Sequence, residues 1–370
     1  MELARVPLRR IAWRLFEGID STLLMIILSL SMLGLAALFS ASYDNPARLI
    51  NQLASLAVAL TAMWIVAQVP PQTMMRFALP AYVIGLALLI AVALAGDVVN
   101  GARRWLHVGV TRFQPSEMMK LALPLMLAWY FHRNESSLRL GHFAVAGFLL
   151  AVPTALILRQ PDLGTAALVG ASGFFVIFFA GIGWKVIGAL VALGAAAMPL
   201  AWGFLHDYQR RRVLTLLDPT QDPLGSGYHI IQSTIAVGSG GISGKGWLNG
   251  TQAHLEFIPE RHTDFIFAVY SEEFGLIGNG VLLTLYALLV ARGLMIAANA
   301  PTIFARLLAA SVTLMFFTYA FVNMGMVSGI LPVVGVPLPF LSYGGTALLT
   351  LFIGAGILMS VQRHRQLVQT

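Results

Sequence analysis

Ten apolar stretches of membrane-crossing length divide this chain of 370 residues. Each runs for about 17 to 25 residues, enough for a helix to cross a hydrocarbon core of about 30 Å. In a bilayer every backbone amide and carbonyl needs an internal partner, and the alternating pattern of barrel strands is absent. We therefore predict an all-α, polytopic integral membrane protein with about ten transmembrane helices. The predicted spans lie near 21–42, 50–69, 76–95, 116–131, 142–160, 164–181, 186–205, 265–291, 304–326 and 344–361.

Composition supports this fold class and limits the functions that the chain can have. Hydrophobic residues make up 58% of the chain and charged residues only 11%, which is too apolar for a soluble domain of this length. In a soluble protein the net charge of +7 would be consistent with nucleic acid binding. In a membrane protein the distribution of Lys and Arg between the loops instead indicates the orientation in the membrane, and we predict no nucleic acid partner. Cysteine is absent, which excludes disulfides and thiol catalysis, and no HExxH pair indicates a zinc hydrolase.

Basic residues in the connections set the predicted orientation. If the number of spans is even, both termini lie on one side, together with twelve Lys and Arg residues. The opposite side has five once a long polar insert is set aside, because charges in long loops have little effect on orientation. We therefore predict a single membrane domain over 1–370, with cytoplasmic termini at 1–20 and 362–370 and a large extracytoplasmic loop at 206–264.

The large extracytoplasmic loop holds six of the sixteen acidic residues, and two of its segments have recognisable patterns. At 229–237 the spacing predicts an amphipathic helix at the membrane surface, with Ile230 and Ile235 on its apolar side and Ser233 elsewhere. The glycine-rich segment that follows contains Lys245 but lacks the spacing of a nucleotide-binding P-loop. We predict a flexible loop there, whose lysine contacts a phosphate.

Ionisable residues at membrane depth are functional candidates, because burying a charge there is costly. Glu117 and Lys120 lie three residues apart on one helical face and can pair. They form either a helix-start carboxylate neutralised by lysine or a pair that faces a substrate. For Asp162 we predict a structural role, as an Asx-turn or a helix N-cap. At least one of Glu272 and Glu273 should face the interior of the bundle and form a buried hydrogen bond.

The densest polar cluster comes immediately before an apolar helix, at the end of the large loop. It contains Glu260, Arg261, His262 and Asp264, and the same loop carries the basic run at 210–212. Asp264 alone could be an ordinary N-cap. Together, however, a carboxylate that removes a proton and guanidinium groups that bind an anion are the two parts that a phosphate-leaving transfer requires.

These polar segments resemble one protein family along nearly the whole chain, in order. The family is SEDS, named for shape, elongation, division and sporulation. The segments that carry the resemblance are Phe113–Lys120, Gln160–Thr165, Leu217–Pro219, Gly227–Ser233, Gly238–Gly250, Phe257–Phe267 and Gly335–Gly345.

The resemblance implies a ten-helix peptidoglycan glycosyltransferase that polymerises lipid II at the outer face of the bacterial cytoplasmic membrane. It implies the branch that acts in cell elongation and rod shape, with a class B penicillin-binding protein and other membrane proteins of the elongation complex as partners. The family's catalytic acid falls on Asp264. That carboxylate would take a proton from the acceptor 4-hydroxyl, which attacks the anomeric carbon of the lipid-linked donor and forms an inverted β-1,4 bond.

The departing undecaprenyl pyrophosphate is a dianion and needs positive groups nearby. A divalent cation, Mg²⁺ or Mn²⁺, could assist by neutralising it, although no metal ligand cluster is evident and no organic cofactor is expected. Ser342 lies in a proline-broken segment that could line the cavity. The predicted substrate-binding residues are Arg112, Glu117, Lys120, Arg210, Arg212, Lys245, Arg261, His262 and Ser342.

Three other functions are consistent with the sequence. The chain could be a lipid II flippase, whose path Glu117, Lys120 and Glu272 would mark. It could belong to the division branch of the same family. It could also be a noncatalytic scaffold for a transpeptidase, in which Asp264 only caps a helix.

Overall fold

The computed structural model describes residues 19–43, 45–99, 102–108, 111–204, 210, 214–221, 225–255, 257–258 and 260–365. Within these ranges ten long helices account for most of the chain, and they correspond to the ten predicted spans. They are α1 (Ser21–Ala41), α2 (Pro46–Gln68), α3 (Pro71–Ala95), α4 (Pro115–Arg133), α5 (Leu140–Arg159), α6 (Leu163–Phe179), α7 (Trp184–Phe204), α10 (Ile266–Ala298), α11 (Ile303–Val327) and α12 (Gly345–Arg365). Two short helices, α8 (Ser226–Ser239) and α9 (Thr251–His254), lie between α7 and α10.

Seven of the described helices are long and apolar enough to cross a membrane, namely α1, α2, α3, α5, α10, α11 and α12. Helix α6 is apolar but has 17 residues, and the apolar part of α7 is similarly short. Helix α4 is less apolar because it carries Glu117 and Lys120. The prediction of a polytopic all-α membrane protein is confirmed.

The largest boundary error is at the end of α10, which continues to Ala298 instead of ending near residue 291. Arg292 was expected to mark a cytoplasmic loop because it ends the apolar stretch, but arginine is a good helix former and the helix continues past it. Its guanidinium pairs with the carboxylate of Asp20, which also caps the start of α1.

Helix α11 forms the centre of the bundle and packs against α10, α6 and α4. Its aromatic side chains Phe304, Phe316 and Tyr319 are fully buried. Helix α12 packs closely along α2, where a Cβ placed on Gly356 would lie 2.6 Å from the carbonyl oxygen of Met63. Helix α7 lies at the edge, and nearly all of its described side chains are exposed.

A small antiparallel sheet between α3 and α4 was not predicted. Its strands are β1 (Asp97–Val99), β2 (Ala102–Val108) and β3 (Thr111–Phe113), in the order β1-β2-β3. The sequence contains one signal for it, the Asn100-Gly101 pair between β1 and β2, which is typical of hairpin turns. The sheet lies beside the start of α4, where Pro115 occupies the first helical turn as expected.

Helix α8 confirms the prediction of a helix at 229–237, but the face that packs against the rest of the protein is not the predicted apolar side. Ser233 is fully buried, together with Ile230 and Ala236, whereas Ile235 is 46% exposed. The buried face, on which Ser233 and Ala236 lie beside Ile230, packs against α10 and α11. The serine is accommodated because its hydroxyl donates to the carbonyl oxygen of Ile230, at 3.1 Å.

Candidate active site

The candidate site is built around a tight turn that precedes α10. The backbone amides of Thr263 and Phe265 both donate to the carbonyl oxygen of Glu260, at 3.1 and 3.3 Å. Glu260 has a φ of +49°, a left-handed conformation that favours a sharp reversal of the chain. Asp264 lies near the end of this turn, and its side chain is partly buried.

The carboxylate of Asp264 does not cap α10. The N-cap residue is Phe265, and no side chain provides a capping hydrogen bond there. Among the described residues none donates a hydrogen bond to the Asp264 carboxylate, although a capping aspartate would accept one from the helix. The structural alternative from the sequence, an ordinary N-cap, is therefore wrong.

Asn323 of α11 holds the backbone around this carboxylate. Its side-chain amide donates to the carbonyl oxygens of Asp264 and Val336, at 2.8 and 2.6 Å, and the residue is fully buried. Between these contacts a Cβ placed on Gly335 would lie 3.2 Å from Oδ2 of Asp264, and Gly335 has a φ of +70°. Sequence reasoning missed Asn323, although it is an isolated amide in an apolar helix.

Two neighbouring carboxylates affect the ionisation of Asp264. Burial, together with the negative charges of Glu260 and Asp162, raises the pKa of Asp264 to about 6. All three causes act in the same direction, because each disfavours a further negative charge. A carboxylate with such a pKa is ionised at neutral pH and is a stronger base than a free aspartate.

Asp162 lies at the start of α6, where its Oδ1 accepts a hydrogen bond from the amide of Thr165 at 3.0 Å. The predicted N-cap is confirmed. Its other oxygen lies 3.7 Å from the guanidinium of Arg104 and 3.4 Å from the amide of Gln114. Arg104 also donates to the carbonyl oxygen of Pro161, at 2.6 Å, so the sheet is attached to the α5–α6 turn.

Three predicted substrate-binding residues stabilise the turn itself. Arg261 is buried, and its Nε donates to the carbonyl oxygen of Ala41 at 2.7 Å. The carbonyl oxygen of His262 accepts from the amide of Tyr343 at 2.9 Å. The hydroxyl of Ser342 donates to the carbonyl oxygen of Thr263 at 2.7 Å. These contacts attach the turn to α1 and to the segment before α12.

The remaining predicted cations lie in different surroundings. Lys120 pairs with Glu117 at 2.6 Å, as predicted, and its ammonium also donates to the hydroxyl of Tyr319. Lys245 pairs with the fully buried Glu272 at 2.7 Å.

Of the three other predicted cations, Arg112, Arg210 and Arg212, the structure describes the side chain of Arg210. Arg210 donates to the carbonyl oxygen of Gly203 at 2.8 Å. The side chain of Arg112 and the whole of Arg212 lie outside the described residues.

The expectation that an acidic residue of α10 faces the interior is confirmed for both candidates. Glu272 is fully buried, and Glu273 is 1% exposed. Glu273 accepts a hydrogen bond from the hydroxyl of Ser40 on α1, which joins two neighbouring helices.

An apolar cavity of about 450 Å³ lies between α2, α3, α4 and α12. Its wall includes Phe77, Met118, Leu121 and Ile353, and of the described residues that line it Glu117 alone is ionisable. Oε2 of Glu117 is buried and has no hydrogen-bond partner among the described residues. The cavity is suited to a hydrocarbon chain, because apart from Glu117 and two threonines its described lining is apolar.

No group of three or more His, Cys, Asp or Glu within the described ranges could hold a metal ion. The charges of Asp162 and Glu260 act on Asp264, but these three residues do not form such a group. Among the described side chains there is therefore no preformed cation site.

Comparison with known proteins identifies the family. The cell cycle protein family of FtsW, RodA and SpoVE matches residues 21–367. The chain is 52% identical over 351 residues, 95% of each chain, to the peptidoglycan glycosyltransferase MrdB of Escherichia coli strain K12. It is 36% identical to the stage V sporulation protein E of Bacillus subtilis strain 168, over 93% of this chain and 97% of that one.

Solved structures agree with this assignment. A structure described as the coordination of polymerization and crosslinking by a peptidoglycan synthase complex has a TM-score of 0.82 and 36% identity, over 94% of this chain and 98% of that one. The rod shape determining protein RodA of Thermus thermophilus has a TM-score of 0.71 and 30% identity, over 94% and 97% of the two chains. This chain therefore belongs to the FtsW, RodA and SpoVE family, the SEDS family that its motifs resemble.

Proposed function

We propose that this chain is a peptidoglycan glycosyltransferase that polymerises lipid II into β-1,4-linked glycan strands for cell elongation and rod shape. The observation that carries the proposal is the carboxylate of Asp264, which is partly buried, does not cap its helix and accepts no hydrogen bond from a described residue. The 52% identity to a peptidoglycan glycosyltransferase supports the same reaction.

The proposed mechanism uses Asp264 as a general base. Its carboxylate takes the proton of the acceptor 4-hydroxyl as the hydroxyl oxygen attacks the anomeric carbon of the donor. The bond between that carbon and the pyrophosphate oxygen breaks, and the electron pair leaves with undecaprenyl pyrophosphate. Attack on the face opposite the leaving group inverts the anomeric configuration. Asn323 and Gly335 hold the base in position for this step.

The apolar cavity supports a lipid-linked substrate. An isoprenoid chain has no hydrogen-bonding groups, and the lining of the cavity is almost entirely hydrocarbon. A divalent cation beside the pyrophosphate remains a prediction from the charge of that group. The described side chains do not form a site for it, and no step is assigned to it.

The proposed setting is the bacterial cytoplasmic membrane, with both termini in the cytoplasm and Asp264 on the periplasmic face. The bias of Lys and Arg towards the connections on the side of the termini supports this orientation. A class B penicillin-binding protein is the proposed partner. Similarity to a peptidoglycan synthase complex that coordinates polymerization and crosslinking supports such a partner.

A polymerisation assay tests this function directly. The purified chain, together with its transpeptidase partner, should convert fluorescent lipid II into polymer that a muramidase digests. Transport of lipid II across proteoliposomes without polymer would instead identify a flippase. Neither activity, with the partner still bound, would identify a scaffold.

The rate of polymerisation is expected to rise with pH around the pKa of Asp264. Because that pKa is raised to about 6, the carboxyl group is protonated below this pH and cannot accept the substrate proton. The rate should increase by up to about tenfold per pH unit on the acidic side and then reach a plateau. A pH profile of kcat/KM would show this limb, and a rate independent of pH across it would contradict the assignment of Asp264 as the base.

Replacing Asp162 by Asn should move this limb to lower pH. Asparagine caps a helix about as well as aspartate, so α6 should remain intact, but one of the charges that raise the pKa of Asp264 is lost. The expected result is a lower midpoint with a similar plateau. Glu135→Gln is the matched control, because Glu135 is half-exposed and its ion-pair partner in the described part of the chain is His132. Equal midpoints in wild type and Asp162→Asn would show that Asp162 does not influence the base.

A further inference from the structure

Helix α10 is broken at one residue, and a loop fills the break. Gly275 has a φ of +63° and a ψ of −159° inside an otherwise helical stretch. In a continuous helix the amides of Leu276 and Ile277 would donate to the carbonyls of Glu272 and Glu273, four residues earlier. Here they donate instead to the carbonyl oxygens of Gly241 and Ile242, at 2.9 and 3.1 Å.

The same loop satisfies the carbonyls on the other side of the break. The amides of Lys245 and Gly246 donate to the carbonyl oxygens of Glu272 and Glu273, each at 3.0 Å. Two lost helical bonds are thus replaced by four bonds to the segment 240–246, which we name the wedge loop. The wedge loop therefore pairs the four backbone groups that lose their helical partners at the break.

Glycine is required for this insertion. A Cβ placed on Gly244 would lie 2.0 Å from the carbonyl oxygen of Glu273, and Gly244 has a φ of +79°. A Cβ on Gly240 would lie 2.1 Å from the carbonyl oxygen of Ser271. Side chains at these positions would push the wedge loop out of the break.

One buried carboxylate connects the wedge loop to both ends of the segment that contains the proposed base. Glu272 is fully buried, and its Oε1 accepts from the ammonium of Lys245 at 2.7 Å. The same carboxylate accepts from the amides of Thr251 and Gln252, at 2.9 and 3.1 Å. The chain from Thr251 to Glu272, with Asp264 between them, is therefore closed into a ring by this side chain.

The break makes the position of Asp264 sensitive to the wedge loop. The segment between the turn and Gly275 has nine helical residues and is about 13 Å long, so a tilt of roughly 5° moves its outer end by about 1 Å. A displacement of this size at a reacting group can lower a rate on the order of 100-fold.

We propose that the wedge loop sets the position of Asp264, and that Lys245 and Glu272 are positioning residues for it. This rests on the proposed function of Asp264 as the base. It replaces the sequence prediction of a flexible loop whose lysine contacts a phosphate. Lys245 acts through Glu272, and neither side chain touches the reacting atoms.

The test compares Lys245→Met, Glu272→Gln and the double variant in the polymerisation assay. We expect each single variant to lower kcat by roughly tenfold to 100-fold with little change in KM for lipid II, and the double variant to lose no more than one single variant. Lys245→Arg, which keeps the charge, should regain part of kcat. A raised KM or weakened pyrophosphate inhibition in Lys245→Met, with normal kinetics in Glu272→Gln, would overturn the proposal in favour of anion binding.

A matched pair of glycine variants tests the backbone part. Gly244→Ala should lower kcat like Glu272→Gln, whereas Gly238→Ala should not, because a Cβ on Gly238 meets no atom within 4 Å. Amide hydrogen exchange on the full chain gives a readout that does not depend on activity. Gly244→Ala and Glu272→Gln should speed exchange both in the wedge loop and in the turn at 260–265. Faster exchange in the wedge loop alone would overturn the coupling, even if the chain did not polymerise lipid II.

Discussion

Replacing Asp264 by Asn is expected to lower polymerisation of lipid II by roughly 10²- to 10⁴-fold, the range that a general base contributes. Asparagine has nearly the same shape and can keep the packing against Gly335, but it cannot accept the proton of the acceptor hydroxyl. The backbone contact with Asn323 uses the carbonyl oxygen of residue 264 and should survive the change. Rates with fluorescent lipid II, measured for the purified chain with its transpeptidase partner, would check this result.

The same substitution should not destabilise the protein at neutral pH. The folded-state pKa of Asp264 is raised to about 6, so the ionised form is less favourable in the folded chain than in the unfolded chain. This unfavourable contribution begins as the pH rises above the unfolded pKa and is complete above the folded pKa. Asp264→Asn removes it. Lost activity with equal or higher thermal stability would therefore separate catalysis from folding, as is typical of active-site groups.

Asp264→Ala is the second variant, and Glu135→Gln is the control for the loss of one carboxylate elsewhere. Alanine should also stop polymerisation while leaving partner binding intact. Polymer at the wild-type rate from either Asp264 variant would contradict the mechanism. Loss of partner binding along with activity would indicate that residue 264 has a structural role instead.

The helices could be predicted from the sequence because their signals are local. An apolar stretch of sufficient length is visible in any window, and it placed all ten long helices within a few residues at most ends. The Asp162 cap and the Glu117–Lys120 pair were also predictable, since each depends on residues three positions apart. The end of α10 was missed because Arg292 ends the apolar stretch without ending the helix.

The arrangement of the site was harder to predict from the sequence, because its contacts join residues that are far apart in the chain. Asn323 and Asp264 are 59 residues apart in the sequence, and Lys245 and Glu272 are 27 residues apart. Neither contact could therefore be predicted from a local periodic pattern. The residue types near Asp264 indicated a base beside cations that bind the substrate. In the structure, however, Lys245 forms an ion pair with the carboxylate of Glu272. A lysine in a glycine-rich loop has the same sequence pattern whether it binds a phosphate or a buried glutamate.

Of the substitutions proposed for this chain, Lys120→Met is expected to cause the largest loss of stability. Lys120 is 2% exposed and lies between the carboxylate of Glu117 and the hydroxyl of Tyr319. Without the ammonium, Glu117 is a buried charge with no counterion, and breaking a buried pair in this way costs roughly 3–5 kcal/mol. Unfolding in detergent micelles, followed by heat or denaturant, would measure the loss. Lys185→Met, on the exposed α7, should change stability by less than about 0.5 kcal/mol.

The double variant Glu117→Gln with Lys120→Met decides whether the loss comes from the unpaired charge. A neutral amide next to methionine leaves no buried charge, so much of the stability lost by Lys120→Met should return. The remaining deficit would reflect the lost contact with Tyr319 and the new packing. The single variant Glu117→Gln completes the comparison. If the stability losses of the two single variants simply added in the double variant, the two side chains would be energetically independent. The ion pair would then contribute nothing to stability.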